Sequence, residues 1–165
     1  MAKAPCISLS LLILSGLLLN GNGQEQNTRY RHPQHDFSFV STPDWDQEFG
    51  DFNGKQFRVT HPNKNMIVSL SFVPGCRNPE AYLRRIQGLE GLLCTTRQFD
   101  TLLNDYAAVV IKGNCLEGRE AFTRMVVGFP SEKGLYLMEI SCPEDCHAAH
   151  RQNVREILSS VRIGA

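Results

Sequence analysis

The sequence predicts an α+β fold, in which an antiparallel sheet carries two main helices packed on it. Three observations lead to this prediction. Alternating apolar and polar residues mark several strands, two stretches carry apolar residues at helical spacing, and the order of elements is strands, helix, strands, helix. The chain lacks the regular strand–helix–strand alternation that builds a parallel sheet. We therefore expect the helices to pack on the faces of an antiparallel sheet.

The size and charge of the chain limit its class. Its 165 residues suit one domain. With 42% hydrophobic and 21% charged residues, the composition is not that of a disordered protein. Basic and acidic side chains number 17 each, so the formal net charge is zero and we expect no nucleic-acid partner. No apolar run reaches the roughly 20 residues of a membrane span, so none is expected.

Residues 1–23 have the pattern of a secretory signal peptide. Lys3 supplies a short positive segment, an apolar stretch follows, and Gly21 and Gly23 place small residues before a cleavage site at Gln24. We therefore expect a secreted protein, in an extracellular or periplasmic space. Cleavage would remove Lys3 alone among the charged side chains, which leaves one more acidic than basic residue.

A polar stretch follows the predicted signal peptide. Residues 24–35 are expected to form a flexible N-terminal arm. His32 and His35 within it could hold a metal, although histidine pairs in mobile segments are common without one. A single α+β domain is predicted over residues 36–165.

Alternation predicts the first four strands of this domain. Phe37 and Phe39 share one face of the first strand, and Trp45 is expected to reach the core. Asn53-Gly54 is a strong signal for a hairpin between the second and third strands. The four strands are predicted over 36–41, 46–52, 55–60 and 66–73.

The first helix has a clear start. Asn78 can cap it, Pro79 suits the first helical position, and Glu80 favours the positive end of the helix dipole. Apolar residues then recur at helical spacing, at Tyr82, Ile86, Leu89 and Leu93.

A strand meander and a second helix complete the domain. Asn104-Asp105 can form a two-residue hairpin turn because both residues tolerate left-handed conformations. Gly113-Asn114 is expected to be a further turn. Cys142 is expected to cap the last helix, whose apolar stripe contains Val154, Ile157, Leu158 and Val161. The four strands of the meander are predicted over 97–103, 106–112, 119–129 and 134–141.

Five cysteines follow the predicted cleavage site, and in an oxidising compartment they are disulfide candidates. Because five is an odd number, at least one is a free thiol or bonds to another chain, so a covalent dimer is one possibility. Cys76 suits that role because it lies in a predicted loop. The five are Cys76, Cys94, Cys115, Cys142 and Cys146.

The hairpin predicted at Asn104-Asp105 favours one disulfide. The numbers of facing residues in such a hairpin sum to 209, the sum of 104 and 105, and Cys94 and Cys115 have this sum. Counting back from the turn makes them a non-hydrogen-bonded pair, in which side chains lie closest. A bulge or a longer loop would remove this register, so other pairings stay open.

The segment 142–150 carries the only cluster with candidate chemistry. Cys142 and Cys146 could be structural disulfide partners, either of each other or of Cys76, or redox thiols activated at a helix N-terminus. Together with His147 and His150 they could instead supply four zinc ligands. The C-x3-C spacing differs from the usual redox spacing of C-x2-C, and two neighbouring carboxylates oppose a thiolate. We expect no other metal site and no cofactor.

The organisation of the chain resembles the PsbP-like fold, an α/β/α sandwich that also includes DcrB-type secreted proteins of bacteria. The resemblance covers residues 36–163 and implies a non-enzymatic role as an extrinsic subunit or binding module. A similar order of elements also fits cystatin-like folds, and the cysteines depart from the cysteine-poor members. The resemblance rests on the opening segment 37–45, the early hairpin, the Asn78-Pro79-Glu80 helix start, the meander 118–141 and the closing segment 157–163.

Two functional hypotheses follow. The first is a secreted, disulfide-stabilised binding or accessory protein without catalytic activity, whose partner is another protein. The alternative is a thiol-redox or metal-dependent protein that uses the segment 142–150. The state of the thiols distinguishes them, because a binding module should have paired cysteines.

Overall fold

The computed structural model describes residues 27–50, 56–63, 65–76, 78–89, 93–117, 120–144 and 147–164. The predicted signal peptide lies outside these ranges, as do the Asn53-Gly54 turn and Cys146. In the ranges that are described, no helix combines the length and the apolar character needed to cross a membrane.

The described residues form two sheets and two helices. A three-stranded sheet has the order β1-β2-β10, and a seven-stranded sheet has the order β3-β4-β5-β9-β8-β7-β6, with antiparallel pairing throughout. The elements are β1 (Thr28–Arg31), β2 (Phe37–Ser41), β3 (Asp46–Gly50), β4 (Gln56–Thr60), β5 (Ile67–Pro74), α1 (Pro79–Leu89), β6 (Leu93–Leu103), β7 (Tyr106–Glu117), β8 (Glu120–Ser131), β9 (Gly134–Pro143), α2 (His147–Ser159) and β10 (Arg162–Ile163).

Helix α1 covers one face of the seven-stranded sheet. The Asn78 side-chain oxygen accepts a hydrogen bond from the Ala81 backbone N–H at 3.0 Å, which confirms the predicted cap. Leu83 is buried at the centre of the contact. Gly128 on β8 lies beneath it, where a Cβ atom would meet the Leu83 side chain at 3.1 Å. The apolar side chains of this layer are Leu83, Val109, Ile111, Val126, Leu135 and Leu137.

Helix α2 and the three-stranded sheet cover the opposite face. Phe37 and Phe39 on β2 are completely buried, and Trp45 is buried beside them, as the sequence predicts. Ile157 and Val161 bring the end of α2 into the same core. The α+β class, the antiparallel sheet and the two packed helices are confirmed.

The hairpin formed by β6 and β7 has the predicted register. Leu103 faces Tyr106 and Cys94 faces Cys115, so every pair along the hairpin sums to 209. The turn residues Asn104 and Asp105 have φ values of 50° and 66°, the left-handed conformation that asparagine and aspartate tolerate. The Asn104 side chain also donates to the Val161 backbone oxygen at 3.1 Å, which ties the turn to the end of α2.

Four boundaries differ from the predictions. Helix α1 ends at Leu89, and Leu93, which was expected on that helix, begins β6. Gly113-Asn114 is not a turn but lies within β7, where glycine is needed because a Cβ atom would meet the Thr96 side chain at 2.8 Å. Cys142 does not cap α2, since Cys142 and Pro143 end β9 and the helix begins at His147. Part of the predicted flexible arm, Thr28–Arg31, forms β1 and pairs with β2.

Candidate binding site

An open cleft of about 880 Å³ lies at one end of the seven-stranded sheet. It forms where β5 and β8 begin and β9 ends, because neighbouring antiparallel strands start and stop at the same edge. We call it the end cleft. Its lining residues are Asn65, Met66, Ile67, Glu120, Ala121, Phe122, Ser141, Cys142, Pro143 and Glu144.

A second groove of about 790 Å³ runs over β6 and β7, beside the first turn of α2. Arg97 and Lys112 face each other across the two strands and both line it, which makes this groove basic. Phe99 also lines it and is 50% exposed. Glu144 lines both the groove and the end cleft, and its carboxylate accepts a hydrogen bond from the Asn114 side chain at 3.2 Å. The two depressions therefore meet at Glu144.

A pair of histidines stands beside the end cleft. The rings of His61, in the loop after β4, and His150, in α2, have centroids 5.1 Å apart. His150 Nε2 lies 2.9 Å from the side-chain oxygen of Asn65, a residue of the end cleft. His61 Nδ1 accepts the backbone N–H of Asn63 at 3.2 Å, and its ring packs edge-on against Trp45. The two imidazoles thus connect α2 to the rim of the end cleft.

Both histidines favour the neutral form. Burial lowers the pKa of His61 below its ordinary value, and the neighbouring His150 lowers it further. Burial also lowers the pKa of His150. In the described part of the chain no carboxylate lies within ion-pair distance of either ring. At neutral pH the pair is therefore uncharged, and protonation would place two cations in contact.

Acid is expected to destabilise the protein through this pair. A folded-state pKa below the unfolded value of about 6.5 contributes stability above that pH, and this contribution is lost as the pH falls. We expect the melting temperature to fall between neutral pH and pH 5, and to fall less steeply in the variant His61→Asn with His150→Gln. Thermal unfolding followed by circular dichroism checks this. An equal slope in the variant and the natural chain would contradict it.

The structure separates residues that the sequence grouped in the segment 142–150. Cys142 is a buried residue of β9 and faces Thr123 on the neighbouring strand β8. It therefore does not lie in the first turns of α2 with His150. His147 is the first residue of α2, and Cys146 lies outside the described residues. His150, which is buried, bonds Asn65 instead. The predicted cluster of these cysteines and histidines required a helix that begins at Cys142. That helix start is wrong, because α2 begins at His147.

Cys76 and Cys115 lie on the α1 side of the sheet. Cys76 is half-buried and packs against the apolar layer beneath α1. Cys115 is buried in β7, directly opposite Cys94 in the register. The position of Cys94 and Cys115 fits the predicted disulfide, which stays a prediction.

The His32 and His35 rings pack among aromatic side chains. Their centroids lie 4.7 Å apart, and the His35 ring is 4.6 Å from that of Phe72. His32 is buried and its Nδ1 accepts the Gln34 backbone N–H at 3.1 Å. Across the residues that the structure describes, no group of three or more histidine, cysteine or acidic side chains could hold a metal ion.

Sequence reasoning assigned no role to His61 or Asn65. Both lie between the predicted strands 55–60 and 66–73, in a segment expected to be a loop. Asn65 and His150 are 85 positions apart, so no local spacing indicates their contact. The tertiary fold brings them together by placing α2 beside the segment that precedes β5.

No protein-family model and no curated protein sequence matches the chain. Solved structures do match it. PsbP of the cyanobacterium Synechocystis has a TM-score of 0.65 at 11% identity, over 87% of this chain and 96% of that one. The Ran-binding protein Mog1p of Saccharomyces cerevisiae has a TM-score of 0.59 at 7% identity, over 84% of this chain and 96% of that one.

A third similar structure is LpqN of Mycobacterium tuberculosis, which is involved in cell envelope biogenesis. It has a TM-score of 0.55 at 15% identity, and the match covers 85% of this chain and 91% of LpqN. At these identities the likeness establishes architecture rather than activity. The described helices and sheets, together with these matches, show that the chain has the PsbP-like fold.

Proposed function

We propose that this chain is a secreted, disulfide-stabilised accessory protein that binds another protein and has no catalytic activity of its own. The observation that carries the proposal is the meeting of the end cleft and the basic groove at Glu144. Together they form one open surface with polar, charged and apolar groups, which is the composition of a non-obligate protein interface.

The groups beside this surface are arranged for structure rather than catalysis. His150 bonds an amide and His61 accepts a backbone N–H, whereas a general base is usually oriented by a carboxylate and lies against a nucleophile. Cys142, the cysteine of the end cleft, lies in β9 with its side chain in the core. These contacts support a binding role.

One similar structure agrees with a binding role, since Mog1p is Ran-binding. LpqN is involved in cell envelope biogenesis, which agrees with export. Export of this chain is supported by the signal-peptide pattern of residues 1–23. In an oxidising compartment the facing cysteines of β6 and β7 would form the disulfide.

Two measurements test the proposal. The first is the intact mass of the exported protein, non-reduced, after alkylation of free thiols. A chain that begins at Gln24 and carries one alkyl group would support two disulfides and one odd cysteine. Three alkyl groups would leave one disulfide and contradict the second, and five would contradict the disulfide-stabilised state. A doubled mass would identify a covalent dimer, for which Cys76 is the candidate.

The second measurement locates the partner. A photo-crosslinking amino acid replaces Glu120, an exposed residue of the end cleft, in the cells that export the protein. The matched control replaces Glu48, an exposed glutamate on β3 at the far edge of the sheet. We expect a discrete protein adduct from position 120 and none from position 48. Equal crosslinking from both positions, or none from either, would contradict a binding surface at the end cleft.

A further inference from the structure

Strand β6 is an unusually open sheet edge. It has 11 residues, pairs with β7 without a bulge, and contains no proline. All its residues from Thr95 to Asp100 are exposed, Phe99 is 50% exposed and Leu102 is 71% exposed. Long, regular edges with exposed apolar side chains are templates for pairing with another strand.

The opposite edge of the same sheet is protected. Strand β3 has five residues, and two of them are the carboxylates Asp46 and Glu48. Short length and charge are the usual means by which proteins prevent edge-to-edge pairing. The contrast between the two edges indicates that β6 is kept open for a partner strand.

The register of the hairpin shows which backbone groups of β6 are available. Leu103 and Tyr106 close the two-residue turn as a hydrogen-bonded pair, and the pairs then alternate. The odd-numbered residues of β6 therefore bond to β7. The even-numbered residues, with Gln98 at the middle of the exposed stretch, direct their N–H and C=O groups away from the sheet.

We propose that the partner is a second copy of this chain, whose β6 pairs antiparallel with the first around a two-fold axis at Gln98. This axis is perpendicular to the sheet, so each face of the first sheet continues as the same face of the second. Two residues that face each other across the axis therefore both have even numbers or both have odd numbers. The two copies would then form one continuous sheet. This is an isologous interface, in which the same strand is used twice.

The side chains of β6 are complementary to themselves in this register. Arg97 faces Phe99 of the second copy, which allows a cation–π contact on both sides of the axis. Thr96 faces Asp100 of the second copy, where a hydroxyl can donate to a carboxylate. Thr95 faces Thr101, a favourable cross-strand pair.

Neighbouring registers are less favourable. An axis at Arg97 would place two arginines in direct contact, and an axis at Asp100 would do the same with two carboxylates, which destabilises a strand pair. An axis at Phe99 would pair the two rings but would set Thr96 against Leu102 and give Arg97 no aromatic or acidic partner. The charges of β6 therefore select Gln98 as the centre.

Sedimentation of the purified protein over a wide concentration range tests the proposal. We expect a reversible dimer. Gln98→Pro removes an N–H that points away from β7, a position at which an edge strand accepts proline. This variant should be monomeric with an unchanged fold by circular dichroism, whereas the matched variant Gln98→Ala should remain dimeric. A monomeric natural chain, or a dimer that Gln98→Pro does not weaken, would overturn the proposal.

A charge exchange tests the register. Phe99→Arg would place arginine against Arg97 of the second copy, and should raise the dimer dissociation constant at least about tenfold. Adding Arg97→Glu would replace this repulsion with an ion pair on each side of the axis and should restore the dimer. Both positions are exposed, so neither change should affect folding. A double variant that is no tighter than Phe99→Arg alone would overturn the register centred on Gln98.

The dimer and the end cleft can fail independently, whereas Arg97 and Phe99 belong both to the basic groove and to the proposed dimer interface. Crosslinking from position 120 reports on the end cleft, and sedimentation reports on the β6 edge. A covalent dimer is distinguished by the non-reduced mass, since edge pairing leaves the mass of each chain unchanged.

Discussion

Replacing Phe37 with alanine is expected to lower the free energy of unfolding by about 3–5 kcal/mol. Phe37 is 0% exposed and packs edge-on against two aromatic rings, with centroids 5.9 Å from Phe129 and 5.4 Å from Tyr136. It is one of the side chains through which the three-stranded sheet packs on the seven-stranded one. Alanine would remove the buried ring and leave a cavity that rigid strands on both sides cannot fill.

Denaturant unfolding of Phe37→Ala, followed by circular dichroism, measures this effect. The matched control is Phe49→Ala, which removes the same ring from a side chain that is 49% exposed on β3. The control should lose much less stability. Equal losses in the two variants would show that the three-stranded sheet is not an integral part of the core.

Replacing both Cys94 and Cys115 with serine is expected to lower the free energy of unfolding by about 3 kcal/mol. The two residues face each other in the register. By the alternation from the turn they are a non-hydrogen-bonded pair, whose Cα atoms are generally about 4.5 Å apart, within the range that a disulfide spans. A bond there would close a loop through the whole β6–β7 hairpin. Most of its stabilisation would come from restriction of the unfolded chain.

The measurement compares denaturant midpoints with and without a reducing agent. The natural chain should lose stability on reduction, and the double serine variant should lose about 3 kcal/mol less, because the disulfide of the hairpin is already absent. Cys76→Ser is the control, because Cys76 is half-buried outside the hairpin and should keep the response to reduction. A natural chain whose midpoint does not change on reduction would contradict a Cys94–Cys115 disulfide.

The β6–β7 hairpin shows what local sequence can predict. Asn104 and Asp105 determine a turn of two residues, and that turn fixes every later pair, including Cys94 with Cys115. The earlier hairpin was predicted with less precision. Asp46 faces Thr60, so its pairs sum to 106, one less than a two-residue turn at Asn53-Gly54 would give. A turn signal indicates a hairpin, but loop length decides the register.

The candidate site was less predictable because it is built from distant contacts. The sequence predicts too early a start for α2, because Cys142 and Pro143 resemble a helix cap and a first helical residue. In the structure they are the last two residues of the long strand β9. The strand continues because β8 offers a partner for each residue as far as Pro143. The contact of His61 with His150, and the end cleft beside it, depends on that long strand and on how α2 packs.

The long-range contacts of β2 determine when the chain can fold. The Ser160 hydroxyl accepts the backbone N–H of Val40 at 2.7 Å, and the two residues are 120 positions apart. Helix α2 packs over β2, and β10 pairs with it. A chain still emerging from the ribosome therefore exposes Phe37 and Phe39 until α2 has been made. Contacts of such sequence separation form slowly. Under the proposed export of the chain, this delay would keep the early segment unfolded during translocation.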